Sequence, residues 1–391
     1  MFKSVLMIIT IGIILGVAFL LSDNRSLINK RTVLAGLGLQ VLLILFALKT
    51  PIGFTILETT AFGIQSIADF GLEGVSFVWG DLTNMNVLFV NVLVIIIFVS
   101  ALISLLRYWG IISFLIGKIG GLLSKILGTN KAETFNAVAN IVVGQIEAPL
   151  MIKSYFNKLS ESELFAIMVS GMGSASASIL IGYSAMGIPM KYLIISVFAS
   201  MFSSLIISKI IKPNTSQDDE EIQIEKLDAT NAFDAISQGA SDGVSLVLSI
   251  MGSLVAFVGI VALINGILGI FNVSLTDVLT MIFTPIAWLF KIPNKEIESF
   301  ASLLGIKLTI NEFVAFTSMS EIIGTLSERT IAVLTVALCN FANLSSIGIQ
   351  IGGLGAIDPN CRGDVSKLVV KALIAANLST LLSAALVGLM F

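Results

Sequence analysis

Eight apolar runs, at about 4–21, 33–49, 86–107, 162–188, 192–211, 244–272, 328–356 and 366–391, are each long enough to cross a bilayer as a helix. A soluble chain cannot accommodate them, because its surface still needs polar cover and charged residues make up about 25% of an average globular sequence. Here they are 12% of 391 residues, and 56% of the residues are hydrophobic. Lipid is therefore the solvent for most of the surface. Backbone groups in lipid must be satisfied within the segment, which makes runs of this length helices. Lys3 precedes the first run as in a signal peptide, but no small-x-small cleavage site follows, so Met1–Leu21 reads as the first transmembrane helix. The expected fold class is an all-α, multi-pass protein of the cell membrane with about eight transmembrane helices.

Five further segments, 54–78, 109–128, 132–157, 276–292 and 296–325, are apolar but broken by Gly, Pro, Asn or charge. They suit interfacial helices or re-entrant hairpins, which are tolerated at membrane depth only inside protein or beside a wet cavity. Placing the N-terminus outside puts fifteen of the 22 Lys and Arg residues, among them Lys125, Lys131, Lys153, Lys158, Lys209 and Lys212, on the cytoplasmic side. An even number of crossings then leaves both termini outside.

The stretch 213–231, PNTSQDDEEIQIEKLDATN, is strongly polar and reads as a solvated linker. Phe233, Ile236 and Ala240 follow on one face, as in an amphipathic surface helix. The linker separates two similar halves. Leu159-Ser160-Glu161 recurs 167 residues later as Leu326-Ser327-Glu328, and the same offset lays GQIEAP (144–149) on NEFVAF (311–316). An odd number of crossings between the halves gives them opposite topology, the inverted-repeat plan of secondary transporters. The expected organisation is 1–84 as N-terminal scaffold helices, 85–211 as a first repeat with a hairpin at 132–157, 212–243 as linker and amphipathic helix, and 244–391 as a second repeat with a hairpin at 296–325.

Several functions are excluded early. A net charge of −3 without a basic stripe gives nucleic acid nothing to bind. Cys339 and Cys361 lack metal-ligand spacing, and the absence of His removes the usual zinc ligand and triad base. No enzyme constellation is present, and no cofactor is implied. Attention falls instead on Glu147 and Glu312, each in a short polar interruption at matching places in the two halves. A charge at bilayer depth costs at least about 2.5–3.5 kcal/mol, so it needs a use. The bland use is to pin a hairpin to its neighbour. The functional one is a midplane site, where half-helix N-termini hold a carboxylate. Around the first hairpin, NIVVGQIEAP (140–149) adds amide and carbonyl oxygens suited to a cation, and its partner SGMGSASAS (170–178) serves close packing, ligation or both. In the second half Asn343 and Ser346 share a helix face, and Phe341 offers an apolar plate. Amide, hydroxyl, carboxylate and aromatic together suit a solute with vicinal hydroxyls and a flat ring.

GQIEAP at 144, NEFVAF at 311 and FANLSSIGIQIGGLGAIDP at 341 resemble the signature segments of the concentrative nucleoside transporter family, in order, over residues 85 to the C-terminus. The resemblance implies eight helices with two re-entrant hairpins, assembled as a homotrimer, in which a mobile region moves by an elevator motion to carry a nucleoside with a cation. It implies that Gln145, Ile146 and Glu147 face the nucleobase with Ile179, that Glu312, Asn343 and Ser346 hold the ribose, and that Phe341 packs on the nucleoside. A coupling Na+ is implied between hairpin and helix, held by Asn140 and Ser174 side chains and the carbonyls of Val143, Ser174 and Ala175. One departure stands out. Many members have Thr where this chain has Ile146, which removes a base-reading hydroxyl and leaves purine against pyrimidine preference open. Transport of free nucleobases or another small polar solute, or coupling to H+, is the rival expectation.

Overall fold

The computed structural model describes residues 2–85, 94–214, 222 and 224–391. The first region contains α1 (Phe2–Leu20), α2 (Lys30–Lys49), α3 (Pro51–Trp79), α4 (Ile95–Tyr108) and α5 (Ile111–Leu127). Residues 86–93 of the expected span at 86–107 lie outside the described residues. The segment 54–78, read as too broken for an ordinary span and suited to an interfacial helix or hairpin, lies in one uninterrupted helix, α3, that starts at Pro51. Proline at the first helical position costs nothing, since its missing N–H would be unpaired there anyway. One of the glycines that weakened the sequence reading has a packing reason: a Cβ on Gly71 would lie 2.8 Å from the Phe98 ring, so α3 closes on α4 there. The chain turns by 73° between α4 and α5, through left-handed Gly110.

The first hairpin follows as α6 (Lys131–Ala139) and the short α7 (Glu147–Leu150). Asn130 and Glu133 form a capping box at its entry, satisfying donors that lipid could not. Then come α8 (Glu161–Met172), α9 (Ala177–Ala185) and α10 (Met190–Ile211). The second half repeats the order. After α11 (Ala232–Leu268) and α12 (Leu275–Leu289), the hairpin α13 (Ile297–Thr309) and α14 (Glu312–Ile322) leads into α15 (Glu328–Leu338), α16 (Ser345–Ile357) and α17 (Arg362–Gly388). The starts of α8 and α15 keep the offset of 167 residues seen in the sequence.

Two expected spans differ from expectation in a way that matters. Segments 162–188 and 328–356 are each broken in the middle, at Gly173–Ser176 and at Cys339–Leu344. In the second break the Asn340 side chain accepts the Ala342 N–H at 3.1 Å. That local turn competes with the helix ladder. The boundary placed at 244 is absent, because α11 runs through it as one helix of 37 residues. In the polar linker, residues 215–221 and 223 lie outside the described residues. Among the described residues, four helices are long and apolar enough to span a membrane, or six if each bent pair is one span, with shorter apolar helices at Leu6–Leu20 and Ser345–Ile357.

Packing divides the helices into two groups. α4 and α11 lie mainly on each other, and α11 meets α4 through Gly239 and Gly243. α10 and α17 pack together and carry α8, α15, α1 and α2. Of the N-terminal helices, α1 and α2 pack on α10 and α17, while α3 packs on α2 and α4.

Candidate substrate and cation site

Both hairpin tips and both helix breaks open onto one cavity of about 520 Å³. That is the size of an ordinary small-molecule site. Gln145, Ile146, Glu147, Ile179, Glu312, Phe341, Asn343 and Ser346 all line it. Side chains from both halves of the chain, far apart in sequence, thus meet at one place.

Local chain chemistry places each group. Asn311 caps α14 by accepting the Val314 N–H at 2.9 Å, which sets Glu312 in the first turn, where the helix dipole favours an anion. The Glu312 carboxylate is buried and accepts the Tyr183 hydroxyl at 3.2 Å and Asn343 Nδ2 at 3.0 Å. Asn343 Oδ1 in turn accepts the Ser346 N–H at 3.1 Å and the Ser345 hydroxyl at 2.6 Å, and the Ser346 hydroxyl donates to the Phe341 carbonyl. Opposite, Gln350 Nε2 donates to Gln145 Oε1 at 3.0 Å, leaving the Gln145 amide donors for a ligand. Gly144 gives the Glu147 carboxylate room, since a Cβ there would lie 2.2 Å from Oε2. Ile146 rests on Gly353 of α16, where a Cβ would meet its Cδ1 at 2.3 Å.

The candidate cation ligands gather between α6 and the first break. Asn140 is buried and donates through Nδ2 to the Ser170 hydroxyl at 3.4 Å, while its Oδ1 has no partner. Ser174 Oγ donates to the Ser170 carbonyl at 3.0 Å. The Ser174 carbonyl accepts the Phe341 N–H at 3.2 Å, which ties the break in the first half to the break in the second. Val143 and Ala175 are buried beside them. An orphaned amide oxygen amid neutral oxygens fits a hard monovalent cation.

Sequence reasoning missed the wall contributed by α4 and α11. Ser100, Ser104, Arg107, Asp242 and Ser249 line the cavity. Arg107 interacts electrostatically with Glu147 and Asp242. In the sequence Arg107 served only as an orientation marker. The signal that could have found this wall is GASDG at 239–243, a small-xxx-small pair in an apolar helix. A Cβ on Gly239 would lie 2.5 Å from Ser104 Cβ and one on Gly243 2.7 Å from Ile97 Cα, so this face must meet α4. Tyr183 was also missed, hidden in unremarkable helix sequence, and Asn311 was read only as the first residue of NEFVAF, without a role of its own.

Patterns described as Na+ dependent nucleoside transporter N-terminus and C-terminus match residues 9–82 and 192–388, and one described as nucleoside recognition matches residues 89–190. The chain belongs to the Na+-dependent nucleoside transporter family. The transporter is 40% identical to the nucleoside permease NupC of Helicobacter pylori over 99% of this chain and 98% of that one. It is 31% identical to sodium/nucleoside cotransporter 2 of Mus musculus, over 96% of this chain but 61% of the longer mouse protein. The structure of CNTnw in an inward-facing substrate-bound state superposes with a TM-score of 0.95 at 38% identity, covering 100% of this chain and 98% of that one. Fold class, family and a multi-pass plasma-membrane location thus agree with the sequence reading.

Proposed function

We propose that the transporter carries nucleosides into the cell with Na+, by an elevator-type alternation of the hairpin-bearing helices against the α4–α11 pair. The observation that carries the reading is the convergence of the eight substrate residues on one cavity whose far wall is a separately packed helix pair. Glu312, already oriented by Tyr183 and Asn343, would accept the vicinal hydroxyls of a ribose. A solute lacking those hydroxyls leaves a buried carboxylate short of partners, which is a steep selectivity filter. Gln145 and Glu147 would read the polar edge of the base, and Ile146 and Ile179 would pack on its apolar parts. Phe341 would pack against the nucleoside as a whole, and Asn343 with Ser346 would extend the ribose site.

Na+ would bind through Asn140 and Ser174 side chains with the carbonyls of Val143, Ser174 and Ala175, supplying the driving force. Moving one charge down ~100 mV releases about 2.3 kcal/mol, and a tenfold ion gradient about 1.4. Their sum supports accumulation of several hundredfold. The mobile unit comprises both hairpins, the broken helices, α10 and α17, with α1 and α2 attached. A homotrimer is the assembly that the family resemblance supports. The deciding experiment is uptake of labelled uridine, adenosine and free nucleobases into proteoliposomes, with Na+ and H+ gradients imposed separately. Nucleoside uptake driven by Na+ alone is expected. Uptake driven only by H+, or of bases and not nucleosides, overturns the reading.

A further inference from the structure

Below the candidate cation site, α6 and α8 press a continuous polar column against each other. Glu133, Asn136 and Asn140 follow at i, i+3 and i+7 on one face of the first hairpin helix, and Glu163, Ile167 and Ser170 answer at i, i+4 and i+7 on α8. All but Ile167 are polar, and every one of them is buried. Ser170 Oγ accepts Asn136 Nδ2 at 2.8 Å and Asn140 Nδ2 at 3.4 Å, so both amides lie between the helices. Asn136 gives a second donor to the Ile167 carbonyl at 3.4 Å, and both amides leave Oδ1 without a partner among the described residues. At the foot of the column Glu163 gives Oε2 to the Ser160 cap at 2.7 and 2.9 Å, and its Oε1 is also unpartnered. Three buried, unpaired acceptors thus lie along a single interface.

The foot also carries unbalanced charge. Glu133 pairs with Lys209. The Lys209 ammonium is then spent on Asn214 Oδ1 at 2.6 Å and on the Ser162 hydroxyl and carbonyl at 2.9 and 3.2 Å. Among the described residues, Glu163 is left as a second carboxylate without an ion-pair partner. Unpaired oxygens are costly to bury in protein. They are what a dehydrated monovalent cation needs. The foot is the end that Lys131, Lys153, Lys158 and Lys212 mark as cytoplasmic.

We propose that the α6–α8 interface is an oxygen-lined release path for the coupling cation, with a second cation position at Asn136 and an exit at Glu163. The proposal rests on Na+ binding at Asn140. A cation leaving Asn140 is met one helical turn away by Asn136 Oδ1, and then by the free oxygen of Glu163, without entering the nucleoside cavity. The ion and the solute therefore leave by different routes.

The test uses the full-length protein in right-side-out and inside-out membrane vesicles, with labelled adenosine or uridine and Na+ varied independently on each face. Internal Na+ slows wild-type uptake by reloading the path. Asn136→Leu is expected to raise the internal Na+ concentration for half-inhibition tenfold or more, with external half-saturation and nucleoside KM unchanged. Glu163→Gln should shift it in the same direction, and Gln still accepts the Ser160 cap, so this variant decides if Asn136→Leu fails to assemble. Parallel shifts on both faces, or no shift in Glu163→Gln, overturn the path and leave the Asn140 site standing. Wild-type uptake indifferent to Na+ on either face overturns the Na+ coupling itself, and the path with it.

Discussion

Glu312 is the residue on which transport depends most directly, because its neighbours already commit it to a polar ligand. Both oxygens accept a hydrogen bond from the protein, from Tyr183 and Asn343, and each keeps a lone pair towards the cavity. Hydrogen bonds to a charged group are worth about 1.5–3 kcal/mol each. Replacing the carboxylate by an amide removes two such bonds to a diol, so Glu312→Gln should lower nucleoside uptake at least ~100-fold. Size-exclusion profiles should be unchanged; near-normal uptake would remove Glu312 from the ribose site. Ile146 offers a second residue-scale experiment. Gly353→Ala drives a Cβ into the Ile146 side chain and should cost about 1–3 kcal/mol of overpacking, read as a raised KM. Ile146→Ala in the same chain removes the clashing atoms and should recover most of the loss, giving a favourable coupling energy in the double-mutant cycle. Glu147, Glu312, Asn140 and Asn343 were legible in the sequence because polar groups in apolar runs are rare, although Asp242 was not. Tyr183 was not, since an aromatic in a transmembrane helix is ordinary until its hydroxyl is seen to reach Glu312.

At the scale of elements, the hairpins were legible, and helix continuity was not. Ser160 with Glu163, like Asn130 with Glu133, carries the spacing of a capping box, and both boxes form. By contrast, the break at Gly173–Ser176 leaves the hydropathy of α8 and α9 intact, so composition alone reads one span. The glycines of α3 show the same limit: glycine lowers helix propensity, but the sequence cannot reveal that a neighbour fills its place. The α4–α11 contact turns this into a prediction. Gly239→Val places branched carbons where Ser100 O would lie 2.6 Å from a Cβ, so the helices must separate. Overpacking of about 1–3 kcal/mol is expected, seen as a lower detergent melting temperature. Since Ser104 and Arg107 sit on the displaced wall, uptake should fall with it. A Gly239→Val protein that melts like the wild type would show that the two helices do not depend on this contact.

For the whole molecule, the internal repeat was legible through its offset, while the allegiance of the N-terminal helices was not. Hydropathy assigns α1 and α2 to the membrane but says nothing about which helices they pack on. Their attachment is partly ionic. Asp23, in the loop between them, pairs with Lys212 of the α10 end at 3.1 Å and with Lys371 of α17, and Lys212 also reaches Glu161 at 2.9 Å. Partial burial works against the Asp23 carboxylate, yet the hydrogen bonds from Lys371 and Lys212 outweigh it and hold its pKa below the ordinary 3.8. A carboxylate depressed in the folded state stabilises it at any pH above the unfolded value, and that contribution is lost as pH falls through the folded one. The strap should therefore be intact at pH 5 and above and should release only as pH falls below the ordinary carboxylate value of 3.8. With 44% of the Asp23 side chain exposed, solvent screening limits the gain to about 1 kcal/mol or less. Asp23→Asn should lower the melting temperature at pH 7 by roughly 1–3 °C, and the difference should shrink in acid as pH falls through the depressed pKa of the wild-type carboxylate. A difference that persists undiminished in acid would mean that Asp23 acts by packing and not by charge. The first loop would then have no ionic hold on the helices that carry the hairpins.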